Sequence, residues 1–195
     1  AFDPSRNLLI TNVARVPNSV RLIPTADLDQ ESDNITGVFQ VGGATITPID
    51  GTPYSITVRP IVSPLNLPCT APPWGTLIAV DLDKGTIKWE VPLGSVEKYA
   101  PFGLPFNWGM PPSGGPMVTA GGLIFIGATP DEKFRAFDIE TGQKVWEVQT
   151  PSSSMAIPMT YQVDGRQFVV VASGGHQFMY RNITDHIVAY ALPDK

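Results

Sequence analysis

Few residues of this chain have a type and spacing that could do chemistry unaided. Its two histidines, His176 and His186, are too far apart in sequence for the short intervals that metal ligands keep. His176 closes the stretch SGGH (Ser173–His176). That stretch lacks the G-x-S-x-G elbow and a strand-to-helix setting, so it reads as a loop histidine and not as a hydrolase base. The acidic run DLDQESD (Asp27–Asp33) lacks the glycine and glutamate of a calcium loop and reads as solvated surface. The single cysteine, Cys69, permits no internal disulfide and reads as a buried, inert thiol. What is left is backbone: in PPSGGPM (Pro111–Met117), Gly114 and Gly115 would let another group come close to the main chain.

Composition narrows the classes. Hydrophobic residues make up 43% of the 195 and charged residues 16%, which suits a folded, β-rich protein. The 20 prolines and 18 glycines are scattered between apolar runs and read as turns. The net charge is −5 and no basic run exists, so nucleic acid is not an expected partner. Apolar runs such as GGLIFIGA (Gly121–Ala128) fall well short of the roughly 20 residues that cross a bilayer. The chain opens at Ala1 without a methionine and reads as a piece of a longer protein.

The elements that must position any site repeat. AVDLDKGTIKWEV (Ala79–Val91) and AFDIETGQKVWEV (Ala136–Val148) align without a gap, matching Ala79 with Ala136, Asp81 with Asp138, Gly85 with Gly142 and Trp89 with Trp146. Each copy reads as a hairpin: a short β-branched and aromatic strand, a turn with glycine at positive φ, then an alternating strand. PMVTAGGLIFIGAT (Pro116–Thr129) and PMTYQVDGRQFVVVAS (Pro158–Ser173) are two more hairpins, and AFDPSRNLLITNV (Ala1–Val13) is another. Helical periodicity is absent. The unit is thus four strands, the pattern of a β-propeller blade, and residues 1–195 hold about two and a half to three of them. Residues 24–73 read as a long excursion between blades. Propellers close with about four or more blades, so these units need further blades or another chain to pack against. The repeated alanine would leave a slot for the indole, and each tryptophan would fill the gap between blades. That burial removes on the order of 200 Å² from water, worth several kcal/mol.

A-x-D-x-x-x-G-x-x-x-W resembles the tryptophan-docking motif of quinoproteins, most closely in AFDIETGQKVW (Ala136–Trp146), whereas the first copy has Lys84-Gly85 in place of Thr-Gly. SPLNLPCTAPPWGTLIAVDL, GGPMVTAGGLIFIGAT, PMTYQVDGRQFVVVASGG and IVAYALPDK extend the likeness over nearly the whole chain, most weakly from about Thr25 to Thr45. They resemble the C-terminal quarter of the membrane-bound, sugar- and polyol-oxidising quinoprotein dehydrogenases. The resemblance implies an all-β, eight-bladed propeller holding pyrroloquinoline quinone (PQQ) with Ca2+ or Mg2+. It implies oxidation of glucose or a related sugar or polyol, ubiquinone as electron acceptor, and a periplasmic enzyme held at the inner membrane by an N-terminal anchor outside this chain. A non-catalytic scaffold propeller that binds other proteins carries the same docking words. The stretch from Ser63 to Gly75, outside the repeat, argues against that reading.

The same resemblance assigns residues. LLITNVAR (Leu8–Arg15) is similar to the segment whose asparagine reaches the quinone carbonyls, which falls on Asn12, with Arg15 as a partner for a cofactor carboxylate. Ser113 stands where related alcohol-oxidising quinoproteins place a tryptophan against the cofactor, and Gly114 and Gly115 follow it. No position matches the family's catalytic aspartate or its metal ligands, so this chain alone is expected to be inactive.

Overall fold

The computed structural model describes residues 1–27, 45–64, 67–98, 106–176 and 182–193. These contain strands and one short 3-10 turn (Thr25–Asp27), and no α-helix. They divide into two compact units. One comprises Ala1–Arg15, Pro72–Gly175 and the segment from Asn182; the other is Val16–Ala71 with His176.

The first unit consists of three antiparallel sheets. The first sheet has the order β1 (Phe2–Asp3), β2 (Leu8–Ala14), β6 (Gly75–Asp81), β7 (Thr86–Pro92). The second runs β8 (Met117–Val118), β9 (Leu123–Ile126), β10 (Lys133–Asp138), β11 (Lys144–Gln149). The third is β12 (Met159–Val163), β13 (Arg166–Ser173), β14 (His186–Ala191). Strands alternate inward and outward side chains, and sheet faces so patterned must be covered. Leu8, Ile10, Leu77 and Ala79 of the first sheet meet Ile124, Ile126, Phe137 and Ile139 of the second in one buried cluster. Each leucine, isoleucine or phenylalanine of the cluster contributes about 1.5–3 kcal/mol through burial. Phe134, Val169 and Val171 form a smaller cluster between the second and third sheets.

The second unit holds β3 (Asn18–Pro24), β4 (Thr45–Pro48) and β5 (Tyr54–Pro60) in the order β3-β5-β4. It corrects the expected excursion between blades. The chain leaves β2 and returns at β6, and these two strands pair directly from Leu8–Asp81 to Ala14–Gly75. The insertion therefore interrupts a blade instead of linking two. Cys69, in this unit, is exposed and not buried as expected. Apart from Asp27, the acidic run from Asp27 to Asp33 lies outside the described residues.

The docking words act across sheets. Ala79 pairs with Trp89 and Ala136 with Trp146, and in both hairpins the register shifts just after the alanine. The Trp89 indole reaches the turn of the second sheet, donating its N–H to Ile139 O at 2.9 Å. A Cβ on Gly142 would fall 2.7 Å from the ring. The small neighbour under Trp89 is thus Gly142 of the next sheet, and not only the alanine beside it. The repeat aspartates close the turns. Asp138 accepts from Glu140 N–H, Thr141 N–H and the Thr141 hydroxyl, Asp81 from Asp83 N–H and Lys84 N–H, and Asp3 from Ser5 N–H and hydroxyl. All three carboxyls are held below the usual aspartate range. The main cause is the Ser5 hydroxyl for Asp3, the Lys84 ammonium for Asp81 and the Thr141 hydroxyl for Asp138.

Candidate functional site: the connection end of the first two sheets

Antiparallel order places hairpin turns at one end of each sheet and longer connections at the other. Arg6, in the first turn, pairs with Asp3 and with Glu140 of the second sheet's turn, so the turn ends lie together. The connections meet at the opposite end. Ser113 N–H donates to Ala128 O at 2.7 Å, and Ala128 N–H donates to Ser154 O at 2.7 Å.

Asn12 lies at this end. It pairs with Leu77 and follows Leu8 and Ile10 on the face turned to the second sheet. The side chain is half-buried, and among the described residues its carboxamide has no hydrogen-bond partner. The Met110–Gly115 stretch comes to the same face. Gly75, opposite Ala14, touches it so closely that a Cβ there would sit 1.8 Å from Met110 O and 2.9 Å from Pro112 Cδ. Met110 N–H donates to Leu93 O at 2.7 Å, which pins the stretch to the end of β7.

Arg15 diverges from Asn12. Its N–H donates to Trp74 O at 2.8 Å, and its guanidinium pairs with Glu90 at 2.7 Å. Glu90 sits opposite Ile78, which sits opposite Thr11, and this row points away from the Asn12 face. The structure thus puts Asn12 on the face that the Met110–Pro112 stretch approaches at Gly75, and turns the Arg15 guanidinium to Glu90 on the other face. Gly114 (φ 127°) is needed for close packing on the connection between β11 and β12, since a Cβ would fall 2.3 Å from Met155 O. A Cβ on Gly115 would lie 3.3 Å from Ile157.

A buried ionic knot escaped the sequence reading. Asp131 accepts Ser95 N–H at 2.8 Å, the Thr129 hydroxyl at 2.7 Å and the Arg135 guanidinium, and Arg135 Nε donates to Glu147 at 2.8 Å. The Asp131 and Arg135 side chains are 2% and 3% exposed, so removing either partner would strand a buried charge. Burial raises the Glu147 carboxyl, but the hydrogen bond from Lys144 and the charges of Arg135, Lys144 and Lys133 outweigh it, and its pKa is lowered. The knot ties the connection leaving β7 to the second sheet. The signal available beforehand was an aspartate and an arginine four positions apart around a strand start.

As a cofactor wall, the residues present fit a carbonyl acceptor at Asn12, whose donor is uncommitted. Arg15, engaged with Glu90, does not fit a cofactor carboxylate on the same side. Among the described residues no group of three or more His, Cys, Asp or Glu could hold a metal ion.

Sheets stitched by a tryptophan on the next sheet's turn glycine define consecutive blades of a β-propeller. The chain belongs to the family described as PQQ: glucose/ethanol/alcohol dehydrogenase, beta-propeller domain, whose model matches residues 1–169. It is 40% identical over 201 residues to the quinoprotein glucose dehydrogenase of Escherichia coli (strain K12), covering 100% of this chain and 25% of that protein. It is 38% identical over 198 residues to a probable quinate dehydrogenase (quinone) of Xanthomonas campestris pv. juglandis, covering 98% and 25%. A solved europium-containing methanol dehydrogenase superposes with TM-score 0.53 at 27% identity, covering 90% of this chain and 24% of that one. This chain therefore spans about a quarter of the length of these relatives.

Proposed function

We propose that this chain forms one wall of the PQQ pocket in a dehydrogenase that oxidises glucose or a related sugar or polyol and passes electrons to a quinone such as ubiquinone. The observation that carries the reading is the half-buried Asn12 carboxamide, without a hydrogen-bond partner among the described residues, on the core-facing side of β2 at the connection end of two docked blades. PQQ, when bound, supplies the two-electron acceptor for the alcohol. Asn12 would hold a carbonyl oxygen of the cofactor through its amide N–H, and such a donor favours the negative charge that collects there. Gly75 packs against the Met110–Pro112 stretch, and the Asp131 knot ties Ser95 of the same connection to the second sheet. Ca2+ or Mg2+, the catalytic base and the remaining blades belong to parts beyond this chain. No helix among the described residues is long and apolar enough to cross a membrane. The reading places the enzyme in the periplasm, attached to the inner membrane by a segment outside these residues.

The test uses the intact protein, reconstituted with PQQ and Ca2+ and offered a panel of sugars and polyols. Asn12→Ala should weaken PQQ binding about three- to tenfold, the size of one net hydrogen bond. Unchanged affinity would remove Asn12 from the wall. Silence of the unmodified protein with every substrate would favour the scaffold propeller.

A further inference from the structure

Burying Asp131 and Arg135 this fully stabilises a fold little, because apolar side chains in place of such a pair often serve as well or better. What the pair holds gives it a second use. Ser95 lies beyond the end of β7 and is 5% exposed, so its N–H needs an acceptor from elsewhere. Asp131, on the connection between β9 and β10, accepts it at 2.8 Å, and the same carboxylate accepts the Thr129 hydroxyl at 2.7 Å. Gly94, next to Ser95, lies against both Thr129 and Met110. A Cβ there (φ 93°) would fall 3.0 Å from Thr129 Cγ2 and 3.1 Å from Met110 Cβ. Met110 in turn donates its N–H to Leu93 O at 2.7 Å and sets its carbonyl against Gly75, on the face that carries Asn12. Contacts thus run unbroken from the Asp131 carboxylate through Ser95, Gly94 and Met110 to that face.

We propose that Asp131 is a positioning residue for the cofactor wall, an inference that rests on the function proposed above. The two members of the pair do different work. Among the described residues, the hydrogen bonds of Arg135 stay within the second sheet and the connection that enters β10, on Asp131, Thr129, Lys133 O and Glu147. Arg135 neutralises the buried charge. Of the pair, only Asp131 reaches Ser95 and so the first sheet's connection. The Lys98–Glu132 and Lys133–Glu97 pairs cross at the same place, but Lys98 and Glu97 are about half exposed, where such pairs hold weakly. With Ser95 N–H held, the Met110 stretch is already in place when the cofactor arrives. Without it, the share of molecules with a formed wall falls, and the apparent Kd rises by the same factor.

The test separates the two members in the intact protein, reading urea unfolding beside PQQ affinity. Arg135→Met strands the Asp131 charge but leaves Ser95 N–H its acceptor. Its urea midpoint should fall while the PQQ Kd moves less than about twofold. Asp131→Leu combined with Arg135→Met removes both charges and also the acceptor. Its midpoint should stand above that of Arg135→Met alone, yet its Kd should rise about three- to tenfold, the size of one net hydrogen bond. A Kd in the double variant within about twofold of the unmodified protein, or a Kd that simply follows the midpoint across the variants, overturns the proposal. Amide hydrogen exchange in the cofactor-free protein gives a second readout. Relative to the amides of β9, those of Ser95 and Met110 should exchange at least about threefold faster in the double variant and at an unchanged ratio in Arg135→Met. An unchanged ratio in the double variant also overturns the proposal. Exchange that behaves as expected in an unmodified protein that binds no PQQ would sink the proposed function and leave the hold of Asp131 on the Met110 stretch standing.

Discussion

The junction between the first and second sheets differs from that between the second and third. At the first, Trp89 sits on Gly142 and bonds Ile139 O, while Arg6 and Lys88 both pair with Glu140 beside it. At the second, Trp146 touches Phe134 and Tyr190 edge to face at 6.0 and 5.2 Å and is 37% exposed. No turn glycine of the third sheet meets it among the described residues. Serine hydroxyls take up part of the work there: Ser152 N–H donates to the Ser173 hydroxyl at 2.9 Å, and that hydroxyl donates to Ser152 O at 2.7 Å. Gly85, which matches Gly142 in the repeat, has nothing within 4 Å of where a Cβ would stand. The same word thus does different work by position. The glycine always supplies positive φ for the turn, and it becomes a socket only where the preceding sheet's tryptophan arrives.

That contrast can be broken by unequal effects. Trp89→Ala should cost about 3–5 kcal/mol of stability in urea unfolding, since a docked ring and its hydrogen bond are lost. Trp146→Ala should cost about 1–2 kcal/mol, because that residue is already 37% exposed. Equal losses would deny that the junctions differ. A smaller effect separates the turns by pH. The Asp3, Asp81 and Asp138 carboxyls are lowered in the folded state, so they add stability above the unfolded carboxyl pKa of about 3.9 and lose it as pH falls through their folded values. Asp138→Asn should flatten the fall in urea midpoint between pH 5 and pH 3. A midpoint that falls as steeply in the variant would mean that the Thr141 hydroxyl does not hold the charge.

Much of this was legible in the chain. Alternating runs, glycine turns and the repeated Ala-Asp-Gly-Trp spacing give the hairpins and the blade, because each is a local signal. The socket was not legible, since Gly142 meets Trp89 and not its own Trp146, a contact between copies. The insertion inside a blade was hidden for a similar reason: β2 pairs with β6 across the whole second unit. Arg15 too was placed by resemblance; a residue just past a strand end can turn to either face, and its direction shows only in the pair with Glu90. Asn12 could be placed by resemblance alone; spacing says nothing of an uncommitted amide.

The central claim is that a turn glycine of one sheet receives the tryptophan of the sheet before it, and the most direct test is a double-mutant cycle read by urea unfolding. Gly142→Ala should cost about 2–4 kcal/mol, from positive φ plus the clash with the Trp89 ring. In a Trp89→Ala background its cost should fall to that of Gly85→Ala, about 1–2 kcal/mol, giving a coupling of at least about 1 kcal/mol. Additive costs, with Gly142→Ala equally damaging whether or not Trp89 is present, would contradict the account.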